Sequence, residues 1–192
     1  MFIFLIVIFP CLLHAQVNSF IAFGSSHGIE LKYKSIPGFH IGGYLEFPTF
    51  WKLKLQTGLE VNQFSMDRDM LIVEYLGGQQ HLYRDGSVSE YNFIELPIIL
   101  AKDFLIKDNS YFIIQTGCYV SLFTGGKATL RTDTGYADYL LVPTESDLIG
   151  GGLLLGTGFK VGRTYIGLEG NLNLPDGRKP ITIFKTKFTV NL

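Results

Sequence analysis

Long apolar runs are missing from this chain once its first fifteen residues are past. A membrane-crossing helix needs about 20 consecutive apolar residues, so helical spans are excluded for the remainder. Charge is also scarce. Asp, Glu, Lys and Arg make up 17% of the 192 residues, against roughly 25% in an ordinary soluble domain. Sixteen basic and seventeen acidic residues nearly cancel, which excludes a basic nucleic-acid surface. Cysteine is limited to Cys11 and Cys118. If Cys11 is removed with a leader, no internal disulfide is possible, and Cys118 reads as a small lipid-facing apolar residue.

What is present is apolar. Hydrophobic residues reach 47% and mean hydropathy is +0.25. An apolar chain without apolar runs spreads those residues over alternate positions, as a membrane β-barrel does. The 22 glycines and 14% aromatics suit bent strands and aromatic belts.

Residues Met1 to Gln16 read as a signal peptide cleaved after Ala15, although no Lys or Arg precedes the apolar stretch. Phe9-Pro10 before Cys11 argues against lipidation, and Pro10 together with the short length argues against a permanent anchor. The domain is then 16–192.

Period-two alternation predicts eight strands: 18–26, 38–47, 51–64, 90–102, 111–124, 147–161, 164–174 and 180–192. The alternation falters at Phe20 to Phe23 and near Phe184-Lys185. In the second and third segments the odd positions are mostly apolar, from Phe39 to Phe47 and from Trp51 to Val61. Centring the first turn on Thr49 sets Phe47 opposite Trp51, Leu45 opposite Leu53, Phe39 opposite Leu59 and Glu46 opposite Lys52. A turn at Gly162-Arg163 sets Phe159 opposite Ile166 and Lys160 opposite Tyr165. Connections alternate between short (48–50, 103–110, 162–163) and longer (27–37, 65–89, 125–146, 175–179). That is the pattern of periplasmic turns and outer loops. Alternating pieces at Leu71 to Leu76 and Tyr136 to Val142 predict that two outer loops continue as hairpins.

The run Tyr91-Asn92-Phe93-Ile94-Glu95-Leu96-Pro97-Ile98-Ile99-Leu100 resembles a strand of the PorT-like outer-membrane β-barrel family of Bacteroidetes. Gly117 to Leu122 with Gly125-Gly126-Lys127, and Asp147 to Gly158, are similar to further stretches of that family. The resemblance implies an eight-stranded barrel. It carries no common activity, although the family's namesake serves a secretion and gliding apparatus.

Chemistry-bearing residues are thin. His14 lies in the signal, His27 and His81 in loops, and His40 on the polar face of the second strand. A lipid hydrolase would aim its His–Ser pair outward, whereas His40 is expected to point inward. Asp67, Asp69 and Asp85 match no calcium loop. Gly150-Gly151-Gly152 lacks the Lys-Ser/Thr and the helix of a phosphate cradle. No catalytic, metal or cofactor residue is expected.

The polar face collects Glu46, Lys52, Lys54, Glu60, Glu95, Lys160, Glu169, Lys185 and Lys187 as structural lumen charges. The interior of an eight-stranded barrel is just filled by side chains, so these charges must pair. The expectation is an all-β, eight-stranded, antiparallel up-and-down transmembrane β-barrel in a bacterial outer membrane. It is expected to be non-enzymatic and plugged. Its partners would be outer-membrane lipid and an envelope or secretion-system protein met through loops 65–89 and 125–146. The alternatives are a barrel-embedded lipid-modifying enzyme and a small-ligand-binding barrel.

Overall fold

The computed structural model describes residues 17–29, 34–76, 79–132, 135–141, 149–173 and 182–192. The signal segment 1–15 and the expected loop 175–179 lie outside them, as do strand residues 147, 148, 174, 180 and 181. Nine strands are present: β1 (Asn18–Ile29), β2 (Lys34–Pro48), β3 (Leu53–Leu76), β4 (Gln79–Lys107), β5 (Ser110–Thr132), β6 (Gly135–Leu141), β7 (Ile149–Val161), β8 (Thr164–Asn173) and β9 (Thr182–Asn191).

Every pairing is antiparallel. β1 to β5 pair in sequence, β5 passes to β7, β7 to β8 and β8 to β9, and β9 pairs back with β1. Eight strands therefore close into an up-and-down barrel, which removes all free edges from that part of the sheet. The ninth, β6, stands above the ring. It pairs with Gly126–Thr132 of β5, beyond the stretch of β5 that holds β7.

Alternation sorts the faces, and the apolar set lies outside. Phe39, Ile41, Leu45, Leu59, Ile98, Leu153, Phe159 and Leu168 are exposed. Tyr44, Glu46, Glu60, Glu95, Glu169, Lys185 and Lys187 are buried. Polarity is thus inverted relative to a soluble barrel. Cys118 is exposed on the outer face.

Glycines on the inner face make room for tyrosine rings. A Cβ on Gly58 would lie 2.9 Å from two ring carbons of Tyr44, and one on Gly167 would lie 2.1 Å from the Tyr165 hydroxyl.

Three details differ from expectation. β1 alternates after all: Phe20 and Ala22 are buried while Ile21 and Phe23 are exposed. Phe20 is an inward aromatic, stacked on Tyr44 with ring centroids 5.0 Å apart. β9 also alternates without a break, because Ile183 is an inward apolar residue.

The first hairpin is the third difference. Its pairs are Phe47↔Leu55, Glu46↔Gln56, Leu45↔Thr57 and Phe39↔Gln63, so each β2 residue meets one four places later than expected. The cause is the turn. A 3₁₀ element (Phe50–Lys52) occupies it, and Trp51 and Lys52 both take positive φ, 59° and 58°. The Thr49 amide and hydroxyl both donate to the Leu53 carbonyl, at 2.8 and 2.9 Å. The hairpin at Gly162-Arg163 has the expected register, with Phe159↔Ile166 and Lys160↔Tyr165. Gly162 takes φ 58° there, which costs glycine little.

Candidate functional site

The interior is layered. At the end bearing the short turns, Ala101, Ile113 and Tyr165 pack together with Tyr111 against them. Lys54 lies 2.6 Å from Asp103 and 3.3 Å from Glu46. The Gln56 amide donates to Glu46 at 2.8 Å and accepts from Gln115 at 3.3 Å. A cavity of about 20 Å³ lies here, bordered by Glu46, Lys160, Tyr165 and Lys187, which is room for about one water.

The middle layer holds the densest charge. Lys185 donates to both Glu60 and Glu95, and its Nζ stands 3.9 Å from Glu169. Lys187 donates to Glu169 at 3.0 Å and to the Tyr44 hydroxyl at 3.1 Å. Its Nζ also lies 4.2 Å from the centre of the Tyr44 ring. Tyr44 donates in turn to Glu60. The Asn62 amide donates to Glu95 at 3.2 Å. Asn171, with its amide oxygen turned toward the ammonium, accepts from Lys185 at 3.1 Å and donates to Glu169 at 3.2 Å. His40 fills the remaining corner, with Nε2 at 2.8 Å from the Thr186 carbonyl and Nδ1 at 3.5 Å from Glu60. β2, β3, β4, β8 and β9 all contribute, because their inward parity brings these side chains to one level. At the opposite end Phe64 stacks on Tyr91 and Phe93, both at 5.6 Å, above Ile183.

Each ammonium in the middle layer has more than one partner. Taking an ion from water costs several kcal/mol, and only close pairing with satisfied lone pairs offsets it. Lys185 and Lys187 are 1% exposed, so these two lysines tie five strands together at their midpoints.

Of the nine residues expected in the lumen, Glu46, Glu60, Glu95, Glu169, Lys185 and Lys187 are buried. Lys54 and Lys160 are half-buried. Lys52 is corrected: it is exposed, on the turn and outside the barrel interior. The 3₁₀ element takes it out of the strand, and Lys54 meets Glu46 in its place. Three interior residues were missed as members of the cluster. His40 stands out in sequence only as a polar-face histidine, Tyr44 carries no signal of its own, and Asp103 falls in the segment 103–110 expected as a turn. Continuing the β4 parity past Ala101 would have placed Asp103 inside.

The second feature is the sheet above the ring. Expected hairpins at Leu71 to Leu76 and from Tyr136 are formed; Val142 lies outside the described residues. Among the described residues β3 pairs only with β4 beyond Asp67, and β6 pairs only with β5. Asp138 of β6 accepts from Thr129 at 2.8 Å and lies 2.8 Å from Lys127. Lys127 holds its exposed carboxyl below the usual carboxylate range.

No family model matches the chain, and neither does any curated protein. Several solved structures resemble it. One is Ail, the attachment invasion locus protein of Yersinia pestis, in complex with the heparin analogue sucrose octasulfate. It is 10% identical, with a TM-score of 0.46, covering 93% of this chain and 99% of that one. Another is the N-terminal β-barrel domain of Pseudomonas aeruginosa OprF, at 11% identity, TM-score 0.42, and coverage of 93% and 100%. The assignment of this chain as a closed eight-stranded antiparallel barrel stands on its own strand pairing.

Proposed function

We propose that this chain is an outer-membrane barrel, exported by a signal peptide at 1–15, whose mature domain 16–192 acts by engaging another envelope component and not by catalysis. The inverted polarity carries the membrane reading. An exterior of exposed Phe, Leu and Ile around a core of buried Glu and Lys is stable only where lipid covers the outside. The short turns then face the periplasm and the extended hairpins 65–89 and 125–146 face out. The packed side-chain layers support a barrel that conducts no ions, so the outer sheet is the available working surface. Kinship with the PorT-like family, and through it a link to secretion, rests on the strand motifs around Glu95 and Gly150. A lipid-modifying enzyme draws no support from His40, whose ring meets Glu60 and Thr186 inside the barrel.

Fractionation and intact-mass measurement test this reading. The expected result is a mature chain beginning near Gln16 and extracted with the outer membrane. A protein retaining Met1, or recovered in the soluble periplasm, overturns it. Photo-crosslinking from Leu140 in native membranes, with and without 65–89, tests the partner.

A further inference from the structure

We propose that a step in the barrel wall, at the end bearing the short turns, binds the phosphate headgroup of an anionic glycerophospholipid; this rests on the reading of the chain as an outer-membrane barrel whose short turns face the periplasm. The ladder between β3 and β4 ends at Leu53↔Lys102. β4 runs on to Lys107, with only β5 beside it among the described residues. The step leaves a cavity of about 600 Å³ between the first turn and β4, a volume typical of small-molecule sites. Its lining joins both faces of the sheet. Leu53 and Phe104 come from the outer face, and Lys54, Asp103 and Tyr111 from the inner one. The cavity therefore meets the lipid boundary as well as the barrel mouth.

Its depth is marked by aromatics. Phe104, Phe112 and Phe159 follow one another around the outer face, with centroids 6.5 and 5.4 Å apart. Trp51, on the turn that borders the cavity, is 86% exposed. Such a belt lies at the level of the lipid headgroups. The turn itself is strained. Trp51 and Lys52 both hold positive φ, a conformation that residues other than glycine avoid and that gathers at ligand sites. It leaves Trp51 outside the barrel and Lys52 on the lip of the cavity.

Charge selects the headgroup. The Lys102 ammonium donates to the Trp51 carbonyl at 2.7 Å and keeps two further N–H donors. Among the described residues neither Lys102 nor Lys52 pairs with a carboxylate, because the nearby Asp103 and Glu46 are both served by Lys54. Two ammonium groups at the headgroup level thus await an anion, and a phosphodiester supplies one. A zwitterionic lipid would bring its own cation beside them and fits less well. The acyl chains of the bound lipid would run along Leu53 and Phe104.

Trp51 is the chain's single tryptophan, so its fluorescence reports on this site. The full mature protein is placed in phosphatidylcholine bilayers containing phosphatidylglycerol, with bromine on the acyl chains of one lipid or the other as quencher. Brominated phosphatidylglycerol is expected to bind beside Trp51 about tenfold more tightly than brominated phosphatidylcholine. Lys52→Gln with Lys102→Gln should abolish that preference. Arg163→Gln, a charge removed from another turn at the same end, should leave it intact. Four results overturn the proposal: equal quenching by the two lipids, a preference that survives the double variant, an equal loss in Arg163→Gln, and displacement of the lipid by millimolar inorganic phosphate. The third means diffuse attraction to a cationic rim, and the fourth means that a soluble phosphate is the ligand. If the preference is absent while both lipids quench Trp51, the membrane reading stands and only the site falls. If neither lipid quenches, Trp51 lies away from lipid and the membrane placement falls with the site.

Discussion

Two ion pairs in this molecule have similar geometry and opposite surroundings. In the barrel, Lys187 lies 3.0 Å from Glu169, both nearly inaccessible. On the outer sheet, Lys127 lies 2.8 Å from Asp138, with side chains 47% and 53% exposed. The shorter pair is the weaker one. In water the charges lose little by separating, and salt screens them. Inside the barrel a widowed charge has nowhere to go. Distance alone therefore ranks these contacts in the wrong order. The same contrast separates the two regions: a ring with closed ladders and buried charges, and a sheet in which, among the described residues, β6 pairs only with β5 and the Lys127–Asp138 pair is solvated.

The sharpest way to widen that contrast is to remove Lys185. Lys185→Met leaves Glu60 and Glu95 facing each other without a cation, and should cost about 3–5 kcal/mol. Reversible urea unfolding from lipid vesicles measures it. Adding Glu60→Gln and Glu95→Gln to the same chain should recover much of the loss, because the two carboxylates that lost their cation are then neutral and Glu169 keeps Lys187. A cost below about 1 kcal/mol for Lys185→Met, or no recovery in the triple variant, would show that the layer is hydrated.

A middle case should fall between the extremes. Lys54 is 26% exposed and serves both Asp103 and Glu46. Lys54→Ala should cost about 1–2 kcal/mol, with measurable coupling to Glu46→Ala in a double-mutant cycle. Lys52→Ala, on the exposed turn, should stay within about 0.5 kcal/mol. If Lys52 couples to Glu46 and Lys54 does not, the first hairpin has the wrong register.

That hairpin shows what was legible from sequence and what was not. The register expected from the turn was wrong by four residues, yet Phe39, Ile41, Leu45 and Leu59 are exposed and Glu46 and Glu60 buried, as their parity required. Strand faces repeat every two residues, so an even slip changes partners and preserves inside and outside. Lys52 failed because parity means nothing once the chain leaves the strand. Hydrophobicity was no guide at neighbouring apolar positions: Ile98 is 53% exposed and Ile99 0%, and Leu153 is 51% and Leu154 2%. Parity relative to Glu95 and Gly152 separates each pair. A lipid-soluble label should accordingly react with cysteine at 98 and 153 and spare 99 and 154; equal labelling within either pair would break the inverted-barrel reading. Which charges meet across the lumen was not legible. Lys185 meets Glu60 and Glu95, 125 and 90 residues away in the chain, and only closure of the ring brings them together.

The smallest effect is expected at Lys127 and Asp138, and its sign follows from the pair. Lys127 depresses the Asp138 carboxyl, first by its hydrogen bond and then by its charge. Asp138 in turn raises Lys127. A depressed carboxyl contributes stability above its unfolded value and loses it as pH falls through the folded one. A raised ammonium contributes below its unfolded value and loses it as pH rises through the folded one. The pair therefore acts across the whole neutral range and fails only at the two extremes. Because both side chains are solvated, global unfolding should not register its loss. The carboxyl carbon of Asp138, followed by NMR against pH, should register it. Lys127→Ala should move that titration up toward the ordinary aspartate value, and added salt should move the unaltered protein part of the way in the same direction. A titration indifferent to both changes would mean that the two side chains do not meet in solution.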